Sequence, residues 1–165
     1  MAKKAAHTSD LKEDLTFQRR EWRMQHVGWW ALTAFVLGAT LGLFGKGPLS
    51  HAVAGSHEGP LWLEYDRFVR VGTVSRIAIH GTAPSPALDL RLSREFLDAN
   101  RIERITPPPA SVEIGPSETR LRFSREAAGP FTILLDVQPL RGWRNRAWVA
   151  AAGGAPLRFT QFAYF

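Results

Sequence analysis

The sequence predicts a mainly β protein: one N-terminal transmembrane α-helix followed by an immunoglobulin-like antiparallel β-sandwich. Three observations lead there. A run of 19 residues from Val27 to Gly45 carries no charged side chain. From Leu61 onward, short stretches alternate apolar and polar residues, the period of a half-buried strand. Gly, Pro and Ser separate these stretches at intervals of about 8–14 residues, the spacing of a sandwich.

The uncharged run comes first. As a helix it measures roughly 28 Å at about 1.5 Å per residue, against a hydrocarbon core of about 30 Å. It has no polar face, whereas the core helix of a small domain shows one. Ala52-Val53-Ala54 has the small-x-small pattern of a signal cleavage site. The 26 mostly hydrophilic residues before the run do not look like a short basic leader, so an uncleaved anchor is expected. Lys3, Lys4, Lys12, Arg19, Arg20 and Arg23 precede the span, and only Lys46 follows it closely. The positive-inside rule then places residues 1–26 in the cytoplasm, 27–45 across the inner membrane and the rest in the periplasm. Trp22, Trp29, Trp30 and Lys46 are the expected membrane-interface residues. Ala31, Ala34, Gly38, Gly42 and Gly45 form a stripe of small residues, with GxxxG at its centre, against which a second helix can pack closely.

Residues 46–60, rich in Gly, Pro, Ser and His, read as a linker, and residues 61–165 as the sandwich. Nine strand-like runs follow: 61–71, 75–81, 87–92, 101–106, 111–115, 118–124, 130–140, 146–152 and 157–165. Phe131–Leu135 is the most apolar and is expected at the centre of a sheet. Gly153-Gly154 suits a hairpin turn. Ser93 can cap a short helix that Asn100 closes in a left-handed conformation. Pro107-Pro108-Pro109 predicts an extended edge or crossover.

The residues exclude more chemistry than they suggest. There is no cysteine, so disulfides, thiolate metal sites and Cys nucleophiles are absent. No phosphate-binding loop, nucleophile elbow or zinc-protease motif occurs, and neither cofactor nor metal is implied. His7, His26, His51, His57 and His80 are scattered, and His51 with His57 reads as solvated loop histidines. Glu64 and Asp66 read as solvated strand carboxylates rather than an acid–base pair. The net charge of +6 comes mainly from Arg, but the arginines of the β region are interleaved with Asp and Glu. A nucleic-acid face would concentrate them, so no nucleic-acid partner is expected. The tightest basic cluster is LRGWRNRAW, where Arg141, Trp143, Arg144 and Arg146 could touch lipid headgroups or a partner subunit.

The block FQRREWRMQHVGWWALTAFVLGATLGLFGKGPLS, followed by LEYDRFVRVG, resembles a family of uncharacterised bacterial single-pass inner-membrane proteins. The resemblance extends to the aromatic-rich end Phe159–Phe165. It implies the same topology and a binding role, and it brings no catalytic residue with it. Respiratory and photosynthetic supercomplexes are natural hosts for such a protein. The sequence therefore leads to a non-catalytic accessory subunit of a bacterial membrane complex, whose partners are other membrane-protein subunits and the lipid bilayer. The rival on the same residues is a free membrane-anchored periplasmic sensor or adaptor for an envelope ligand or lipid.

Overall fold

The computed structural model describes residues 15–40 and 49–165. The chain divides into two units, Met1–Leu37 and Gly38–Phe165.

The first unit is built on helix α1 (Leu15–Thr40). It begins twelve residues before the predicted span, so its first turns include Arg19, Arg20, Glu21 and Arg23. Of the predicted span, Val27–Thr40 lies inside the helix, fourteen residues, about 21 Å and short of a hydrocarbon core. Among the described residues no helix is long and apolar enough to cross a membrane. The end of the predicted span, Leu41–Gly45, lies outside them. At about 100° per residue, Trp22, His26, Trp29 and Thr33 share one side of α1, and Ala31, Ala34 and Gly38 share the opposite side. The His26 Nδ1 lies 2.9 Å from the Trp22 carbonyl. A carbonyl can only accept, so this nitrogen carries the proton.

From residue 49 onward the described residues of the second unit form eleven strands and a short helix: β1 (His51–Gly55), β2 (Leu61–Asp66), β3 (Phe68–Arg70), β4 (Ser75–Ala83), β5 (Ala87–Ser93), α2 (Arg94–Ala99), β6 (Asn100–Thr106), β7 (Ser111–Ile114), β8 (Glu118–Ser124), β9 (Gly129–Pro139), β10 (Trp143–Ala151) and β11 (Leu157–Tyr164). Sheet A has the order β1-β2-β4-β9-β6, and sheet B has the order β3-β11-β10-β5-β8-β7. Period-two alternation turns one side of each strand to the core. Leu63, Ile77, Ile79, Leu135 and Val137 of sheet A meet Leu88, Leu90, Leu92, Leu121, Phe123 and Val149 of sheet B. Each such fully buried side chain contributes roughly 1.5–3 kcal/mol.

Several expectations hold in detail. Phe131–Leu135 lies inside sheet A in β9, with β4 along its whole length, but next to the edge strand β6 rather than at the centre, and β6 pairs only with Leu134 and Leu135 of it. Gly153 takes φ 73° in the turn joining β10 to β11. Residues 107–110 cross from β6 of sheet A to β7 of sheet B, where the prolines need no ladder partner.

Three expectations need correction. The predicted linker contains β1, which pairs with β2 from His51↔Asp66 to Gly55↔Trp62. Ala52 is buried there and Val53 exposed, so the small-x-small pattern belongs to a strand alternation. Sheet B is mixed rather than antiparallel, because β3 runs parallel to β11. Asn100 is extended, at φ −135°, rather than left-handed. Its side-chain Nδ2 instead donates to the Phe96 carbonyl at 3.0 Å, closing α2 without a positive φ.

Two buried hydroxyl and amide side chains explain the parallel strand. The chain leaves sheet A after Asp66 and enters sheet B at Phe68. Gln161, 2% exposed, donates through Nε2 to the Asp66 carbonyl at 3.0 Å. The Ser50 hydroxyl donates to the Phe68 carbonyl at 3.2 Å and accepts its N–H at 3.4 Å. The Phe162 N–H donates to the Arg67 carbonyl at 2.6 Å. Satisfied in this way, the crossing residues carry no orphaned backbone group into the interior. They also set Phe68 beside Phe162.

On the outer face of sheet A, Asp136 stands in register between Arg76 and Arg104. The Arg76 fork donates to both Asp136 oxygens, at 2.8 and 3.4 Å. That hydrogen bond, helped by the charges of Arg76 and Arg104, holds the Asp136 carboxyl below the usual carboxylate range. A carboxyl depressed in the folded state stabilises at neutral pH, and that contribution is lost as pH falls through its folded value. Asp136→Asn should therefore lower the urea midpoint modestly and evenly above about pH 5, with the deficit shrinking below about pH 4. A deficit unchanged at low pH would show that Asp136 acts by packing and not by charge.

Candidate functional site

Sheet B presents one face to the core and one outward, and the outward face is divided in charge. On β5, β8 and β7 its arginines are matched by carboxylates. Arg122 meets Asp89 at 3.1 Å, Arg91 meets Glu118 at 3.6 Å and Arg120 meets Glu113 at 3.8 Å. On β10, β11 and β3 there is no Asp or Glu. Outward positions there are Arg144, Arg146 and Trp148 on β10, then Arg158, Thr160, Phe162 and Tyr164 on β11, and Phe68 and Arg70 on β3. Register sets them in rows: Arg144↔Phe162↔Phe68, Trp148↔Arg158, and Tyr164↔Arg70. Among the described residues, Arg70, Arg141, Arg144, Arg146 and Arg158 form no ion pair, in contrast to the arginines across the sheet.

Trp143 joins this face by breaking the alternation. By parity it belongs with the inward Ala147 and Val149, yet its ring is 72% exposed. Its φ is 79°, the one positive value at a non-glycine among the described residues. A bulky residue held there stores roughly 1–3 kcal/mol, a cost that functional sites tend to carry. The ring stands edge-on to Phe162, at 6.2 Å and 85°. Phe162 stands edge-on to Phe68 at 6.4 Å. The Phe165 ring lies over Gly142 and fills the space a side chain would need there.

Helix α2 supplies the far wall. Strand β5 pairs with β10 only over Val149–Ala151, and α2 takes the place beside the rest of β10. Ser93 joins the two: its hydroxyl accepts the Phe96 N–H as helix cap and the Trp148 N–H, both at 3.3 Å. The groove between α2 and β10 measures about 500 Å³ and is lined by Glu95, Asp98, Arg141, Arg144 and Arg146. A second hollow of about 550 Å³ continues it along Glu95, Arg146, Trp148, Arg158 and Thr160. Asp98 pairs with Arg94 at 3.0 Å, and no ion pair bridges the groove. Cations and carboxylates thus face each other across an open cleft, where an incoming molecule can meet both.

Other candidates fall elsewhere. Gly42, Gly45 and Lys46 lie outside the described residues. Trp22, Trp29 and Trp30 on α1 are exposed at 64%, 65% and 74%. Glu64 and Asp66 stand in register with Ala78 and His51, and neither faces a carboxylate across the sheet. His57 and His80 flank Trp62, each with ring centroids 4.1 Å from it. Among the described residues, no cluster of three or more His, Cys, Asp or Glu could hold a metal ion. The cluster of Arg141, Trp143, Arg144 and Arg146 is the predicted group that the fold brings together with others. Phe68, Arg70, Arg158, Phe162 and Glu95 were not anticipated beside it. The alternation of Arg158, Thr160, Phe162 and Tyr164 was visible in the sequence, but the strand lying next to it was not.

No protein-family model and no curated protein matches the chain. Among solved structures it is similar to a non-cellulosomal cohesin from the hyperthermophilic archaeon Archaeoglobus fulgidus, with 9% identity and a TM-score of 0.39 over 59% of this chain and 86% of that one. A likeness of that degree carries neither function nor partner. The two-sheet architecture stands on this chain's own strand pairing.

Proposed function

We propose that the chain is a non-catalytic docking module, an accessory subunit of a bacterial membrane assembly anchored by the apolar run Val27–Gly45. Residues 1–26 would then lie in the cytoplasm and the immunoglobulin-like sandwich in the periplasm. The observation that carries this reading is the divided face of sheet B: one half neutralises its own arginines, and the other leaves them beside exposed aromatics. Arg with aromatic side chains is the composition of interface cores. The side of α1 carrying the exposed Ala31 and Ala34 suits close approach of a second helix, and Gly38, Gly42 and Gly45 continue the same spacing in sequence. Two modest contacts on one chain reinforce each other through effective concentration.

The test is purification of the full-length chain from gently solubilised native membranes. The tag belongs at the N-terminus, because Phe165 borders the face. Stoichiometric recovery of a membrane assembly is expected. A chain recovered alone or as a homodimer would turn the reading to a free anchored sensor or adaptor. Gly38→Leu with Gly42→Leu should cut recovery of the assembly about tenfold while the melting of the sandwich stays unchanged. Wild-type recovery with both leucines would remove the helix from the docking.

A further inference from the structure

Resting on that docking reading, we infer that the face formed by β10, β11 and β3 receives an acidic protein surface, with Trp143 as its anchor and the α2 groove setting its register. Charge complementarity is the first support. Arg70, Arg144, Arg146 and Arg158 project from one sheet face with no carboxylate among them, and each lacks a partner among the described residues.

A protein occupant suits the face better than an anionic bilayer for three reasons. Attraction to headgroups is a point-charge effect that Lys serves as well as Arg. The sandwich contains no lysine: Lys3, Lys4, Lys12 and Lys46 all precede it. Planar guanidinium forks bind carboxylates, and phosphates as well, two bonds at a time, so an all-Arg face points to a partner held in one orientation rather than to diffuse attraction by a charged surface. The second reason is the groove itself. Glu95 and Asp98 stand across from Arg141, Arg144 and Arg146, and a uniformly negative bilayer would repel them. A protein partner can place carboxylates over the arginines and a base over the α2 wall, so only one register satisfies both. The third reason is Trp143. Its positive φ turns the side chain out of the strand alternation, and its ring stands exposed and edge-on to Phe162, where an incoming surface meets it first. Large aromatics flanked by Arg are the usual centres of binding energy at protein interfaces.

The experiment uses the full-length, N-terminally tagged chain in native membranes. A photoreactive benzoylphenylalanine replaces Trp143 in one variant and Ser111, on the neutralised half, in a control. Crosslinking from position 143 to a peptide rich in Asp and Glu, with none from position 111, is the expected result. Arg144→Glu with Arg146→Glu should then cut recovery of the assembly by about tenfold or more. Reversing the crosslinked partner carboxylates to Lys should restore it. Circular dichroism melts of the double variant check that the sandwich remains folded. Crosslinking of position 143 to lipid would overturn the inference in favour of a headgroup surface. Undiminished recovery with both glutamates would overturn it while leaving the accessory-subunit reading standing. If the wild-type chain brings down no assembly at all, the accessory-subunit reading fails first.

Discussion

Phe96→Ala should lower the stability of the sandwich by about 3–5 kcal/mol, the largest effect expected of a single substitution here. Phe96 is 1% exposed and is the main side chain by which α2 reaches the core. Its ring packs on Phe159 of β11 at a centroid distance of 6.0 Å. Removing it opens a cavity that neighbouring strands, held by their ladders, can only partly fill. A domain of this size has about 5–15 kcal/mol in total, so the loss consumes a large share of the folding free energy. The urea midpoint of Phe96→Ala against wild type measures it, with Phe96→Leu expected to cost clearly less. A loss under about 1 kcal/mol would mean that Ser93 and Asn100 alone hold α2 in place. The same variant bears on the site, since α2 carries Glu95 and Asp98.

Trp143→Gly should act in the opposite sense on stability and on docking. Glycine accepts φ 79° without steric cost, so the strain of the native tryptophan disappears. The ring is 72% exposed and little burial is lost with it. Thermal stability should stay level or rise by about 1 kcal/mol, while recovery of the membrane assembly falls at least about tenfold. Trp143→Phe should keep the strain and part of the recovery. A marked destabilisation by glycine would recast Trp143 as a packing residue for Phe162, and full recovery would remove it as an anchor.

Much of the fold is legible in the residues because strand alternation is a local property. Leu121 and Phe123 are buried and Arg120 and Arg122 are not, as their period of two requires. Ser93 caps α2 for an equally local reason, its hydroxyl three residues from the N–H it accepts. β1 was hidden because HAVAG is short and sits among turn residues, so its pairing with β2 had to supply what its pattern lacked. Asn100 went astray because the competing partner of its side chain, the Phe96 carbonyl, exists only once α2 has formed.

The candidate site divides along the same line. Arg141, Trp143, Arg144 and Arg146 stand together in the chain, and composition alone singled them out. Phe68 and Phe162 are 94 positions apart in sequence, and only the parallel pairing of β3 with β11 sets them in one row. That pairing depends on Ser50 and Gln161, buried polar side chains whose hydrogen bonds no periodicity reveals. By itself, then, the sequence determined most of the strands, though neither β1 nor the break between β2 and β3, together with the uncharged N-terminal run, the absence of cysteine chemistry and the basic cluster at 141–146. The tertiary structure decided which strands are neighbours, and so which arginines meet carboxylates and which remain open. The reason is physical. Alternation is written in the covalent order of one chain segment, whereas charge pairing depends on distances of a few ångströms between segments that only folding brings together.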